Sequence, residues 1–275
     1  MDLLPLACGS VAVGVAVGIL SGLLGVGGGT VLVPVFRLLY GMPAIAATAT
    51  SLFTIIPTSL SGVATHVRNK TCVLPLGLAA GIGGAAMSPV GVWLASISPE
   101  WAIMVAAAAV IAYSSITMFR KAAALRRKQK RAADAASEGR LGETPLPELP
   151  PRRRLVGVGL AIGLGAGAVS GYVGVGGGFI MVPLFMQVLG TPLRLTSGTS
   201  LVAVTILAVP AAVMQAVLGN IDWLAGILVS IGTIPGAALG SKLITRVPEF
   251  ALRLTFGAFL LVAAALLVVN QLGVL

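Results

Sequence analysis

The chain carries one long pattern twice. Ser21-Gly22-Leu23-Leu24-Gly25-Val26-Gly27-Gly28-Gly29 returns as Ser170-Gly171-Tyr172-Val173-Gly174-Val175-Gly176-Gly177-Gly178, at an offset of 149 residues. The same offset pairs Val33-Pro34 with Val182-Pro183, Gly41 with Gly190, and Thr50-Ser51-Leu52 with Thr199-Ser200-Leu201. It also pairs Pro99-Glu100 with Pro248-Glu249. Any fold of this chain must therefore be built from two like halves, each interrupted by glycine at a matching place. In an apolar chain that combination points to a membrane transporter made of two repeats.

The solvent of most of the chain is lipid. Hydrophobic residues make up 57% and charged residues 9%, against about 25% charged in soluble domains. The mean hydropathy is +1.04. Length is best counted in helices of roughly 20 residues. Five apolar segments fill the first half, near 4–24, 30–39, 45–65, 72–96 and 99–119. Five more follow near 155–173, 179–189, 195–218, 223–244 and 248–269. The fold expected is an all-α polytopic membrane protein. A first repeat covers 1–119, a linker 120–154 and a second repeat 155–275. Ser88-Pro89 marks an expected kink, and Pro99 and Pro248 suit a first helical position. Cys8 and Cys72 make no disulfide framework.

Charge orients these segments. Of the 18 basic residues, 11 lie between Arg120 and Arg154, so the net charge of +10 belongs mainly to the linker. Lys121–Arg131 reads as a helical extension into water and the rest of the linker as disordered. Nucleic acid is a poor partner for it, because aromatic interleaving is absent; anionic lipid is a better one. Lys and Arg gather on the cytoplasmic side, which places the linker there. Counting an odd number of crossings per half then puts His66, Arg68, Lys70, Arg194, Lys242 and Arg246 inside and Glu100 and Asp222 outside. Both chain ends fall outside, and only Arg37 is misplaced. A parallel pair of repeats would reverse Asp222, Lys242 and Arg246, so the charges favour inverted topology. The second segment is only half as long as a bilayer core requires. It either crosses with the first or forms a re-entrant hairpin with the glycines at its tip.

The glycine breaks are the first candidate site. Irregular backbone survives at membrane depth only where protein buries it or a wet cavity borders it. Gly27, Gly28, Gly29 and their counterparts Gly176, Gly177, Gly178 let a solute approach the peptide groups. Each break opens a short helix whose N–H groups and positive dipole end suit an anion. Thr30 adds a hydroxyl in the first half, where the second has Phe179. Two such helix starts facing each other near mid-membrane would make a small anion site. The alternative reading is close helix packing, which also suits Gly163, Gly165 and Gly167. Thr50, Ser51, Thr199 and Ser200 lie at matching depths, and their hydroxyls serve either an oxyanion or helix–helix bonding. His66 and its repeat partner Gln215 are candidates for anion contact or proton coupling. The position of His66 beside Arg68 and Lys70 favours an interfacial side chain. Glu100, Asp222 and Glu249 all fall at helix ends, so a carboxylate relay inside the membrane is not expected. No nucleophile–base pair or metal cluster stands out, which argues against an enzyme, a cofactor or a metal.

The doubled Gly-x-Gly-Gly-Gly before a Val-Pro, the following Thr-Ser-Leu and the basic central linker resemble the sulfite exporter TauE/SafE family, also called the toluene sulfonate uptake permease family. The likeness extends over essentially the whole chain outside the linker. It implies a multi-pass transporter of the cell inner membrane that carries a small sulfur-containing anion: sulfite, sulfoacetate or another organosulfonate. It leaves open which compound, the direction, the coupling ion and the oligomeric state. An anion channel, or a membrane scaffold acting through its basic linker, are the alternatives.

Overall fold

The computed structural model describes residues 3–137, 150–191, 193–243, 248 and part of 250–269. Nine helices run along the described residues: α1 Leu3–Leu24, α2 Gly29–Leu38, α3 Ala44–Arg68, α4 Leu74–Ile97, α5 Glu100–Ser137, α6 Arg152–Val173, α7 Gly178–Val188, α8 Leu193–Val217 and α9 Trp223–Leu243. They follow the apolar segments of the sequence closely. The helix that crosses into the linker is longer than expected, since α5 continues to Ser137. The linker's expected disordered stretch at 138–149 lies outside the described residues, as does much of the last apolar segment. Pro99 precedes the first helical residue of α5, and its carbonyl accepts the Ala102 N–H at 2.9 Å.

The bundle is apolar without, and its largely apolar core also encloses a set of buried hydroxyls. Six of these helices are long and apolar enough to cross a membrane, α3, α4, α5, α6, α8 and α9 in the ranges that qualify. Their outward side chains include Ile82, Trp93, Trp101, Ile116, Leu224 and Ile231, all exposed. In water such a surface would drive aggregation; lipid tails solvate it at no cost. Fully buried instead are Thr50, Ser51, Thr54, Thr58, Ser59, Thr199 and Ser200, partnered by neighbouring elements or by the preceding turn of their own helix.

Small residues set the helix pairs. Along α1, an added Cβ at Gly14, Gly18 or Gly22 would overlap the carbonyl of Val229, Thr233 or Ala237 in α9. Along α6, Gly163, Gly167 and Gly171 meet the carbonyls of Ala80, Gly84 and Ser88 in α4 in the same way. Residue numbers rise together in both seams, so each pair is parallel, and each joins a helix of one half to a helix of the other. Gly165, by contrast, has nothing within 4 Å of an added Cβ; it faces outward and is no packing residue.

The contacts are reciprocal throughout. Gly14 meets Val229 while Gly163 meets Ala80, and Gly91 meets Ala168 while Gly240 meets Ile19. Each of these exchanges partners at the 149-residue offset, the signature of an approximate two-fold relation between the halves. The corresponding helices α3 and α8 pack on one another antiparallel: Ser59 with Thr205, Gly62 with Leu201, and His66 with Gly198.

Candidate functional site at the paired glycine breaks

The helix α1 ends at Leu24, and α2 begins at Gly29 after a turn built on Gly25, Gly27 and Gly28, all at positive φ. The hydroxyl of Tyr40, just past α2, donates to Ser10 Oγ early in α1. The two helices therefore form a hairpin with the glycines at its tip. The second half repeats the turn at Gly174, Gly176 and Gly177, also at positive φ. Gly28 at φ 87° and Gly177 at φ 66° are the N-caps of α2 and α7. A residue with a Cβ costs roughly 1–2 kcal/mol in that left-handed conformation.

The two tips lie against each other. A Cβ on Gly178 would come 2.8 Å from the Gly25 carbonyl oxygen and 2.9 Å from Val26 Cα; on Gly29 it would overlap the Val175 carbonyl. Gly27 and Gly176 face the same two side chains, Ile55 of α3 and Val204 of α8. Gly28 has more room: the nearest neighbours of an added Cβ are Val17, Ser21 and Leu32 at 3.4, 3.5 and 3.6 Å. Of the six site glycines, then, Gly29 and Gly178 serve backbone contact, while Gly28 alone would take a Cβ at ordinary van der Waals distance.

The hydroxyls of α3 and α8 tie these tips down. Ser51 Oγ donates to the Gly174 carbonyl at 2.8 Å, and Ser200 Oγ donates to the Gly25 carbonyl. Thr50 Oγ1 accepts the Asp222 N–H at 3.0 Å, and Thr199 Oγ1 accepts the Val73 N–H at 2.8 Å. All four are fully buried. Two straps hold the breaks, and two more hold the loops before α4 and α9.

His66 and Gln215 lie near the C-terminal ends of α3 and α8, with His66 Nε2 3.4 Å from the Gly22 carbonyl in the last turn of α1. The His66 side chain is fully buried in the protein, where Gly198 offers it a surface without a side chain. Its Nδ1 is 2.8 Å from Thr71 Oγ1, and the Thr71 N–H returns to the His66 carbonyl at 2.9 Å. Gln215 Oε1 accepts from Asn220 Nδ2 at 2.7 Å, and the Asn220 N–H returns to the Gln215 carbonyl at 3.1 Å. Thr71 and Asn220 are themselves repeat partners, so both side chains fasten equivalent turns. Arg37, the charge out of place in the sequence, sits 3.9 Å from Glu100 and donates to the Met42 carbonyl at 2.8 Å; a local acidic partner accounts for its position.

Among the described residues, four buried side-chain polar atoms have no hydrogen-bond partner: Ser21 Oγ, Thr30 Oγ1, Ser170 Oγ and Gln215 Nε2. Thr30 was legible as a site residue from its place at the start of α2. Ser21 and Ser170 were not singled out, although both open the repeated signature, because a serine inside a helix ordinarily bonds its own preceding turn.

A duplicated helical bundle with an apolar exterior, a hydroxyl-rich interior and helices broken at paired glycine turns is a polytopic membrane protein of the internally repeated transporter class. The sequence matches the family described as Sulfite exporter TauE/SafE over residues 10–267, and the chain belongs to that family. It is a family of membrane transporters rather than enzymes. Among its relatives, the Bacillus subtilis (strain 168) protein named "Probable membrane transporter protein YunE" is 28% identical over 242 residues, 85% of each chain. From the same organism, "Probable membrane transporter protein YdhB" is 28% identical over 237 residues, 86% of this chain and 89% of its own. A third, "Probable membrane transporter protein YjnA", is 26% identical over 264 residues, 94% of this chain and 98% of its own. No solved structure matches the chain significantly.

Proposed function

We propose that this protein is a secondary transporter that moves a small sulfur-containing anion, sulfite, sulfoacetate or another organosulfonate, across the inner membrane by alternating access. The observation that carries the reading is the meeting of two glycine breaks at an approximate two-fold axis, each at the start of a half-length helix. Backbone N–H groups at such starts favour negative charge without placing a full positive charge in lipid. The family's description supplies the substrate class.

The two repeats, 1–119 and 155–275, are inverted in the membrane. The antiparallel packing of α3 on α8 supports this, since two equivalent spanning helices then run in opposite senses. The linker 120–154 is cytoplasmic and both termini lie outside. The seams of α1 with α9 and of α6 with α4 bear on the motion. They make the rocking bodies mixtures of both halves, rather than one repeat moving as a block against the other. Thr50, Ser51, Thr199 and Ser200 frame the site, Gly27 to Thr30 and Gly176 to Gly178 line it, and His66 and Gln215 hold the turns beyond it.

The test is flux into proteoliposomes with radiolabelled sulfite and sulfoacetate, for the wild type and for Gly28→Leu and Gly177→Leu. Saturable uptake by the wild type, lost in both folded variants, is expected. Uptake unchanged in both variants would remove the breaks from the pathway, and an electrical conductance without saturation would replace the carrier with a channel.

A further inference from the structure

We infer that Ser21 and Ser170 are anion-contact residues, one hydroxyl from each half donating to the oxygens of the solute at the starts of α2 and α7. The inference rests on the transporter reading above and extends it to two side chains. Their burial is nearly complete, 2% and 0% exposed, and neither Oγ has a partner in the protein. An unmade hydrogen bond in such a place is a standing cost, and here it occurs twice, at positions related by the 149-residue offset.

The serines decline an available partner. Ser59, Ser114, Ser230 and Ser241 each donate to the carbonyl four residues back in their own helices. Ser21 and Ser170 leave the equivalent carbonyls of Val17 and Ala166 unused, so their hydroxyls stay free to serve another acceptor. Ser21 also adjoins a helix start: its Cβ is 3.5 Å from where a Cβ on Gly28 would stand. Neither α2 nor α7 has a side-chain cap bond at that end, and the buried, unpartnered Thr30 Oγ1 lies in the first turn of α2. Uncapped helix N–H groups beside the free Ser21 hydroxyl at the start of α2 are complementary to a small oxyanion, which accepts at every terminal oxygen and donates at few; the repeat extends the assignment to Ser170 and α7. A cation would meet the wrong end of the dipole.

The experiment is titration calorimetry of the purified full-length protein with sulfite, thiosulfate, sulfoacetate, taurine and sulfate, alongside thermal unfolding without solute. The variants are Ser21→Ala and Ser170→Ala, with Ser21→Cys and Ser170→Cys as same-size substitutes bearing a weaker donor. Each alanine is expected to weaken the bound anion roughly tenfold, the worth of one hydrogen bond to a charged acceptor. Each should leave the solute-free melting temperature unchanged or raised, and each cysteine should weaken binding by less. Alanine variants that bind as the wild type does would overturn the assignment while the transporter reading stands. A lowered solute-free melting temperature would assign the hydroxyls to the fold instead and likewise overturn it. Failure of the wild type to bind any member of the panel would bring down the substrate reading and this inference with it.

Discussion

The straps between helices and glycine tips give the sharpest quantitative prediction. Ser51→Ala removes the hydroxyl that donates to the Gly174 carbonyl, and Ser200→Ala removes its reciprocal at Gly25. Both carbonyls are left without that donor in a site that water does not reach freely, for Ser51, Ser200, Gly25 and Gly174 are all buried. Leaving a buried acceptor unsatisfied costs about 1–3 kcal/mol. For a chain of this size that corresponds to a fall in Tm of about 3–9 °C. The two tips rest on each other through Gly178 and Gly25, so loosening one loosens the seat of the other. The double variant should therefore depart from the sum of the singles. The control is Thr54→Val: Thr54 is equally buried, but its hydroxyl bonds only within its own helix, to the Thr50 carbonyl at 2.9 Å. Thermal unfolding in detergent, followed by tryptophan fluorescence, reads the four variants against the wild type. Matched losses for Ser51→Ala and Ser200→Ala, with little change in Thr54→Val, are expected. A large loss in one serine variant and none in the other would refute the reciprocity on which the argument rests.

Other consequences are open to simpler assays. Gly163→Ala drives a methyl into the Ala80 carbonyl and should cost about 1–3 kcal/mol or more, seen as loss of monodisperse protein; Gly165→Ala meets nothing and should stabilise by up to about 1 kcal/mol. His66→Gln copies what the second half carries at Gln215, so it should fold and transport at a rate near wild type, with an unaltered pH profile of flux; loss of that profile would restore the histidine as a proton carrier. Removing residues 128–149 leaves Arg126, Arg127 and the basic start of α6 to orient the chain, and flux in proteoliposomes should persist. Its disappearance would make the linker a working part of the carrier, while a wild type without flux would favour a non-transporting scaffold. Arg37→Gln breaks a pair whose Glu100 side chain is 53% exposed and should barely move Tm.

Much of this architecture was legible in the amino-acid sequence because lipid demands long apolar runs and glycine interrupts them. The boundaries of α1 to α9 lie within a few residues of the apolar segments for that reason, except at the end of α5, which continues through the basic run to Ser137. The reciprocal partners were implied by the repeat but not identifiable from it. Gly14, Gly18 and Gly22 recur every fourth residue, as do Gly232, Gly236 and Gly240, which marks two close-packing faces. Nothing in that spacing says that they pack on one another across the halves. The site was half legible. Glycine turns announce unusual backbone, and Thr30 announces itself by its place. Whether a buried hydroxyl holds the fold or is left for a ligand depends on rotamer and neighbour. Ser51 and Ser200 turned out to be fastened, and Ser21 and Ser170 unfastened, with no difference in residue type to tell them apart. Nothing in the sequence around His66 shows that it is buried: its charged neighbours Arg68 and Lys70 are exposed, whereas its own side chain turns inward toward the Gly22 carbonyl and Gly198.

Inverted duplication is the claim on which the rest depends, and sidedness measures it directly. With Cys8 and Cys72 replaced by serine, single cysteines go in at Asn69, in the exposed turn after α3, and at Leu218, its exposed repeat partner after α8. A membrane-impermeant maleimide applied to intact spheroplasts should label Leu218→Cys and spare Asn69→Cys until the membrane is opened. Labelling of both from the same face would contradict the account.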